Sequence, residues 1–374
     1  SVTMLAAGVG NAGWMNDLLT AAPELDAALV GDPEEAVATV IAALARGEEW
    51  RSHPACIARG GKAEDAQPAA VGDLDSLPVP AWDLLPLDKY IVLPHRREGG
   101  IEYPILASRG CYWNGCEFCQ DLACVKSPHY RMRSPESVVA EMADASRRWG
   151  ASHFLFHDAV FPTRVPWLKQ FLSCRRAAGL ESTTWFCMAR ADHVTREGLQ
   201  VMKEAGCANV CYGLETGSDE LLARMNKGHD IATSRRAVEW TAAAGINVSA
   251  TFIFGFPGET VHMAAQTMEL ATSLPIDFAQ FLLTKWHQVP RDYLGEGTLS
   301  ETWELTQYDY RGMVFVPTAY GSLERLKLAR SLAYARFYMR PQFVFRTLAR
   351  IRSWSDVRRY VKGGATLVSA MLNL

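Results

Sequence analysis

No uninterrupted run of some 18 apolar residues occurs in the chain, which excludes an ordinary membrane-spanning helix. No basic segment followed by an apolar stretch opens it, so no secretory leader is expected. Neither sign of charge dominates. With 38 Lys and Arg against 41 Asp and Glu, the net charge is −3, which argues against a wholesale nucleic-acid binder. Cysteine is not deployed as in a small secreted domain, because the count is nine and eight of these lie between Cys111 and Cys211. Such usage fits a reducing cytoplasm, with thiols acting as metal ligands or core residues. There is no internal repeat and no low-complexity tract. What is present is 374 residues, 49% of them hydrophobic. That is enough for two domains, or for one barrel of about 200–250 residues with additions.

Charge and punctuation divide the chain into four parts. Residues 1–98 hold 15 Asp and Glu against 7 Lys and Arg, whereas 323–362 hold 11 Lys and Arg against 2 Asp and Glu. In residues 1–59, Met4–Gly8 reads as a strand, and Gly31-Asp32-Pro33 leads into a helix over Glu34–Ala45 with acids in its first turn. Residues 60–100, rich in Gly, Pro, Ala and Asp, read as a linker. Residues 101–289 alternate strand and helix patterns five or six times, which predicts an α/β fold with a parallel sheet and right-handed crossovers. Ser134-Pro135-Glu136 marks one helix start, and Gly206 one helix end. Residues 290–374 begin irregular and become mainly helical from Ser322.

The sharpest motif is Cys111-Tyr-Trp-Asn-Gly-Cys116-Glu-Phe-Cys119, in the loop after the first strand of the alternating region. Three thiolates within nine residues can converge on one metal centre. A 4Fe–4S cluster takes four ligands, so three cysteines leave one iron open to a substrate or cofactor. Spacing alone leaves two other readings open. Cys124 can join the three in a closed zinc site, or the thiols can be ordinary packing residues.

The loop resembles that of radical S-adenosylmethionine enzymes, in which Cys-x3-Cys-x-aromatic-Cys is usual. Here the first gap holds four residues, Gly115 being the extra one, and Phe118 fills the aromatic position. "SRGCYWNGCEFC" is similar to loops of the subgroup that carries a cobalamin-binding domain ahead of the radical domain. "WFCMARADHV", "MKEAGCANVCYGLETGSDELLARMNKG" and "GINVSATFIFGFPGET" follow in order like that subgroup's later strands, and "YARFYMRP" resembles the tail of its anaerobic cyclase and methylase branch. The resemblance implies a partial (β/α)6 barrel with a 4Fe–4S cluster and S-adenosylmethionine at the C-terminal mouth of the strands. It makes Cys111, Cys116 and Cys119 the cluster ligands and sets Phe118 beside the adenine. Asp158 falls where the methionine amino group binds. Arg190 and Glu215 match cofactor-contacting residues, and Gly255, Pro257 and Glu259 match the fifth-strand motif. The implied chemistry is reductive cleavage of S-adenosylmethionine, after which the 5′-deoxyadenosyl radical takes hydrogen from a small organic, secondary-metabolite-like substrate.

Residues 4–50 resemble the last third of a cobalamin-binding Rossmann-like domain, but the earlier strands and the Asp-x-His-x-x-Gly motif are absent. The reading therefore favours chemistry without bound cobalamin and keeps a cobalamin-dependent methyltransferase or cyclase as the alternative. A zinc-binding scaffold is the alternative of another class. Further expectations are an electron donor such as flavodoxin or ferredoxin, no nucleic acid, a catalytic part for His287, and core positions for most of Cys187, Cys207, Cys211 and Tyr212. The basic C-terminal stretch, with Arg325, Arg336, Arg340, Arg346, Arg350, Arg352, Arg358 and Arg359, is expected to be a solvated helical face. Membrane-surface contact is its less favoured reading.

Overall fold

Six segments of the alternating region form one six-stranded parallel sheet in the computed structural model. The structure describes residues 3–8, 18–61, 65–86, 101–119, 130–285, 295–300 and 313–345 except 342, together with Tyr293, Ile351, Trp354, Val357, Arg358 and Val361. His287 and Cys124 lie outside the described residues, as do Arg346, Arg350, Arg352 and Arg359.

The N-terminal part is a three-stranded sheet of β1 (Leu5–Gly8), β2 (Ala27–Val30) and β3 (Cys56–Ala58), with β1 parallel and β3 antiparallel to β2. All four residues of β2 are buried. Helix α1 (Pro33–Arg46) follows, with Asp32 at its cap, proline at its start and Glu34 and Glu35 in its first turn, where the helix dipole favours negative charge. Residues 65–76, which read as linker from composition, run back along this sheet. Ala69 bridges Gly31, and Val71 and Leu74 are buried. Gly31 has φ +89°, and a Cβ there would sit 2.2 Å from the Ala69 carbonyl oxygen, so a larger residue would part the two segments.

The large sheet has the order β11-β10-β9-β8-β7-β4. Its strands are β4 (Ile101–Ile105), β7 (Ala151–Phe156), β8 (Thr184–Ala189), β9 (Cys207–Glu215), β10 (Asn247–Phe254) and β11 (Phe278–Leu283). Each strand lies beside its predecessor, the arrangement of a half-barrel with helical crossovers. Helices α2 (Pro135–Trp149), α3 (Val165–Ala177), α4 (Arg196–Glu204), α5 (Asp219–Arg224), α6 (Ile231–Ala243) and α7 (Val261–Ser273) connect them. The starts are set locally, as Ser134, Thr195, Ser218, Asp230 and Thr260 each accept a backbone N–H with the side chain. Phe156, Phe161, Phe171 and Trp185 pack ring against ring between sheet and helices. Cys187, Cys207 and Tyr212 are buried in the same core, while Cys211 is half-buried.

Two further features frame the mouth of the sheet. The short strands β5 (Ser108–Arg109) and β6 (Arg131–Met132) pair antiparallel and close the base of the cysteine loop. At the other edge, β12 (Gly297–Leu299) pairs with β13 (Phe315–Pro317), and Phe315 N donates to Thr284 O just beyond β11. Helix α8 (Leu323–Tyr338) then covers the edge strand. The Tyr338 hydroxyl donates to Ala279 O and accepts from Ala279 N, and the Tyr334 hydroxyl accepts from Phe281 N. Four residues of helix rise about 6 Å and two of strand about 6.6 Å, so the two tyrosines match alternate backbone groups of an otherwise open edge.

Ion pairs fasten the N-terminal part to the half-barrel. Arg109 meets Glu34 at 2.5 Å and Asp32 at 3.2 Å, while Arg131 meets Asp32 at 2.5 Å and donates to Val71 O. Hydrogen bonds from Arg131 and Val71 N, with the charge of Arg109, hold Asp32 below the usual carboxylate range against the opposing effect of its burial. Arg131→Ala leaves a mostly buried Asp32 with only Arg109 and Val71 N as partners and is expected to cost about 1–3 kcal/mol in a urea melt. A loss below about 0.5 kcal/mol would show that the pairs do not hold the two parts together.

Candidate active site at the mouth of the sheet

The cysteine loop rests on the turn after α5. Glu117 N donates to Met225 O, Trp113 Nε1 donates to Asn226 O, and Asn226 Nδ2 donates to Gly115 O at 2.7 Å. Gly228 has φ +81°, and a Cβ there would fall 2.3 Å from the Trp113 ring. Cys111, Cys116 and Cys119 are all partly exposed on this loop. Among the described residues, no three His, Cys, Asp or Glu side chains gather at metal-binding spacing, so the thiols share a loop without being drawn round one point.

Beside them lies a buried charge network. Arg190, just past β8, donates through Nε and Nη2 to Asp192 at 3.0 and 2.9 Å and through Nη2 to Lys227 O. Its Nη1 is 3.9 Å from Cys116 Sγ, and its cation lies 5.2 Å from the centre of the Trp113 ring. Burial pulls Arg190 down, but Asp192 more than offsets this and raises it above its ordinary value. Burial pushes the Cys116 thiol up, opposed by the charges of Lys227 and Arg190. Lys227 Nζ pairs with Glu215 Oε1 at 2.6 Å and lies 5.4 Å from the centre of the Phe118 ring. Glu215 holds φ +64°, rare for a residue with a Cβ, and the pairing of β9 with β10 shifts register there. Its carboxylate folds back over Gly213, where a Cβ would stand 2.2 Å from Glu215 Oε1.

The remaining residues singled out in the sequence serve as pins. Asp158 is fully buried, and its carboxylate accepts from Ala107 N and from Ser108 Oγ at 2.5 Å, tying the end of β7 to the base of the cysteine loop. Glu259 Oε2 accepts from Gly255 N at 2.5 Å and from the Tyr320 hydroxyl at 2.9 Å. Gly255 leaves room for the C-terminal part, since a Cβ there would meet Leu326 at 2.8 Å and Phe315 O at 3.0 Å. Pro257 lies in the buried turn that Glu259 closes. Two buried polar atoms near these features find no protein partner, the Tyr112 hydroxyl and Glu259 Oε1. Sequence reading gave no role to Lys227, Asp192, Asn226 or Tyr320. "MNKG" was in view as a motif, and Asp192 stands two residues from Arg190, so both signals were present without a geometry to read them by.

Burial raises Asp158 and Glu259 to about 7, outweighing the hydrogen bonds that favour their charged forms. A carboxyl raised in the folded state gives stability that is complete below its unfolded value and lost as pH rises through about 7. Thermal stability is therefore expected to fall between pH 5 and 8, by roughly a few degrees. Glu259→Gln is expected to flatten that slope, and an unchanged slope would contradict the assignment.

Residues 105–271 match the family model of the radical SAM superfamily. The chain is 28% identical over 331 residues to an uncharacterized methyltransferase of Pyrococcus horikoshii, covering 87% of this chain and 70% of that one. It is 27% identical over 357 residues to an anaerobic magnesium-protoporphyrin IX monomethyl ester cyclase of Rubrivivax gelatinosus, covering 92% and 61%. The solved structure of the apo, cobalamin-dependent S-adenosylmethionine radical enzyme OxsB superposes with a TM-score of 0.69 at 13% identity, covering 99% of this chain and 59% of that one. The chain thus spans about three-fifths of the cyclase and of OxsB. Residues 105–271, which hold the cysteine loop and most of the half-barrel, are thus a radical SAM superfamily domain.

Proposed function

We propose that the protein is a radical SAM enzyme of the cobalamin-linked branch that transfers a methyl group or closes a ring on a small organic molecule. The observation that carries this reading is the fold agreement with a cobalamin-dependent enzyme over 99% of the chain, N-terminal sheet included. The relatives named as a methyltransferase and a cyclase support the two reaction classes. Of the two radical readings, these comparisons favour the cobalamin-linked one over hydrogen abstraction without cobalamin.

The donor set fits an iron–sulfur cluster. Cys111, Cys116 and Cys119 supply three thiols from one loop, and the burial that raises the Cys116 thiol is opposed by the charges of Lys227 and Arg190. Bound there, a 4Fe–4S cluster supplies an electron at low potential to S-adenosylmethionine. Phe118 would border the adenine of bound S-adenosylmethionine, and Glu215 is held at the mouth by Lys227. Asp158 and Glu259 keep the loops round that space in place. The unpartnered Tyr112 hydroxyl and Glu259 Oε1 fit a ligand bearing hydrogen-bond donors. The fold agreement supports a cobalamin near the N-terminal sheet, although that part of the chain carries no Asp-x-His-x-x-Gly ligand motif. No step is assigned to cobalamin.

Anaerobic protein, reconstituted with iron and sulfide, is to be reduced with S-adenosylmethionine in the presence and absence of hydroxocobalamin. S-adenosylhomocysteine and 5′-deoxyadenosine are then measured. The expected result is about four irons per chain and product formation that rises with cobalamin. Cys111→Ala, Cys116→Ala or Cys119→Ala should abolish it, and Cys124→Ala should not. 5′-Deoxyadenosine with no response to cobalamin would return the cobalamin-free reading. Bound zinc with neither product would leave a binding protein.

A further inference from the structure

Helix α8 is apolar on two faces. One, with Leu326, Ala333, Tyr334 and Phe337, packs into the core beside β11. The other exposes Leu328 (51%), Leu332 (54%) and, one residue past the helix, Met339 (75%). These positions follow at intervals of four and seven, so they form one stripe. Arg325 and Arg336 are exposed on the same helix, and Phe345 (70%) is exposed beyond it. A helix apolar all round is ordinarily enclosed, and an apolar stripe flanked by arginines on the outside is the pattern of a helix lying in a bilayer interface.

We infer that this outer face of α8 docks on an anionic lipid surface. Charge selects that occupant. Helix α8 itself carries Arg325, Lys327, Arg330 and Arg336 against Glu324 in a chain of net charge −3, so the helix that exposes the apolar stripe is net positive. Each Lys or Arg near an anionic membrane strengthens binding about fivefold. Among the described residues no helix is long and apolar enough to cross a membrane, so the contact is peripheral. The inner face of the same helix satisfies the backbone of β11, which sets the docked surface against one edge of the half-barrel. The charge pattern offers one competing occupant, the acidic residues 1–98 of a second copy.

The test is co-sedimentation of the full chain with vesicles of phosphatidylcholine alone or with 30% phosphatidylglycerol. Binding is expected only with the anionic lipid, and it should weaken as salt is raised. Leu328→Ser with Leu332→Ser should lower partitioning by roughly tenfold or more. Arg325→Gln with Arg336→Gln should lower it by about twenty-five-fold and reduce its salt dependence. Both pairs are exposed, so folding is expected to survive, which circular dichroism checks. Absence of binding to anionic vesicles at low salt would overturn the inference. So would a concentration-dependent dimer in light scattering that the Leu328 and Leu332 changes dissociate while vesicle binding is nil.

Discussion

Burying a guanidinium costs several kcal/mol unless its charge is answered, and at the mouth of this sheet Arg190 is answered from three directions. Asp192 takes two of its donors, the Lys227 carbonyl takes another, and the Trp113 ring lies against the cation. Each of those partners is attached to something the site needs. Trp113 belongs to the cysteine loop. Lys227 belongs to the turn on which the loop rests, and its ammonium holds Glu215. Removing the charge at residue 190 would therefore loosen loop, turn and carboxylate together, which is why these contacts are better treated as one network than as separate pairs.

A second set of contacts ties the site to the ends of the chain. Arg109 lies two residues before Cys111 and pairs with the acids at the start of α1, so the base of the cysteine loop is also the joint with the N-terminal sheet. On the opposite side, Tyr320 reaches Glu259 from the C-terminal part, and Phe315 and Leu326 fill the space left by Gly255. The half-barrel is open at both edge strands, and the rest of the chain is placed so that the open mouth acquires walls.

Local signals in the sequence were readable because their physics is local. Ser134-Pro135-Glu136 announces α2, since the cap, the fixed φ and the dipole all act within one turn. The alternation of strand and helix gave the sheet, and the cysteine spacing gave the loop. Long-range geometry was not readable. The positive φ of Glu215 depends on a register shift between β9 and β10, and the commitment of Asp158 to Ser108 joins residues fifty apart. Gly255 shows the limit clearly. A glycine says that something approaches closely, but not whether it is a ligand or, as here, a neighbouring strand and helix. Composition likewise reads as a linker over 60–100 and is silent on the contacts made there, from Ala69 N to Val30 O and from Val71 N to the Asp32 carboxylate.

Under the proposed function, the cysteine loop, braced by Arg190 and Lys227, would hold a single iron–sulfur cluster with one position open to S-adenosylmethionine. Electron paramagnetic resonance of the reduced, reconstituted protein tests it most directly. The account predicts the signal of one reduced 4Fe–4S cluster, altered when S-adenosylmethionine is added and lost in Cys116→Ala. A cluster signal indifferent to S-adenosylmethionine, or no signal from protein that retains zinc, would contradict it.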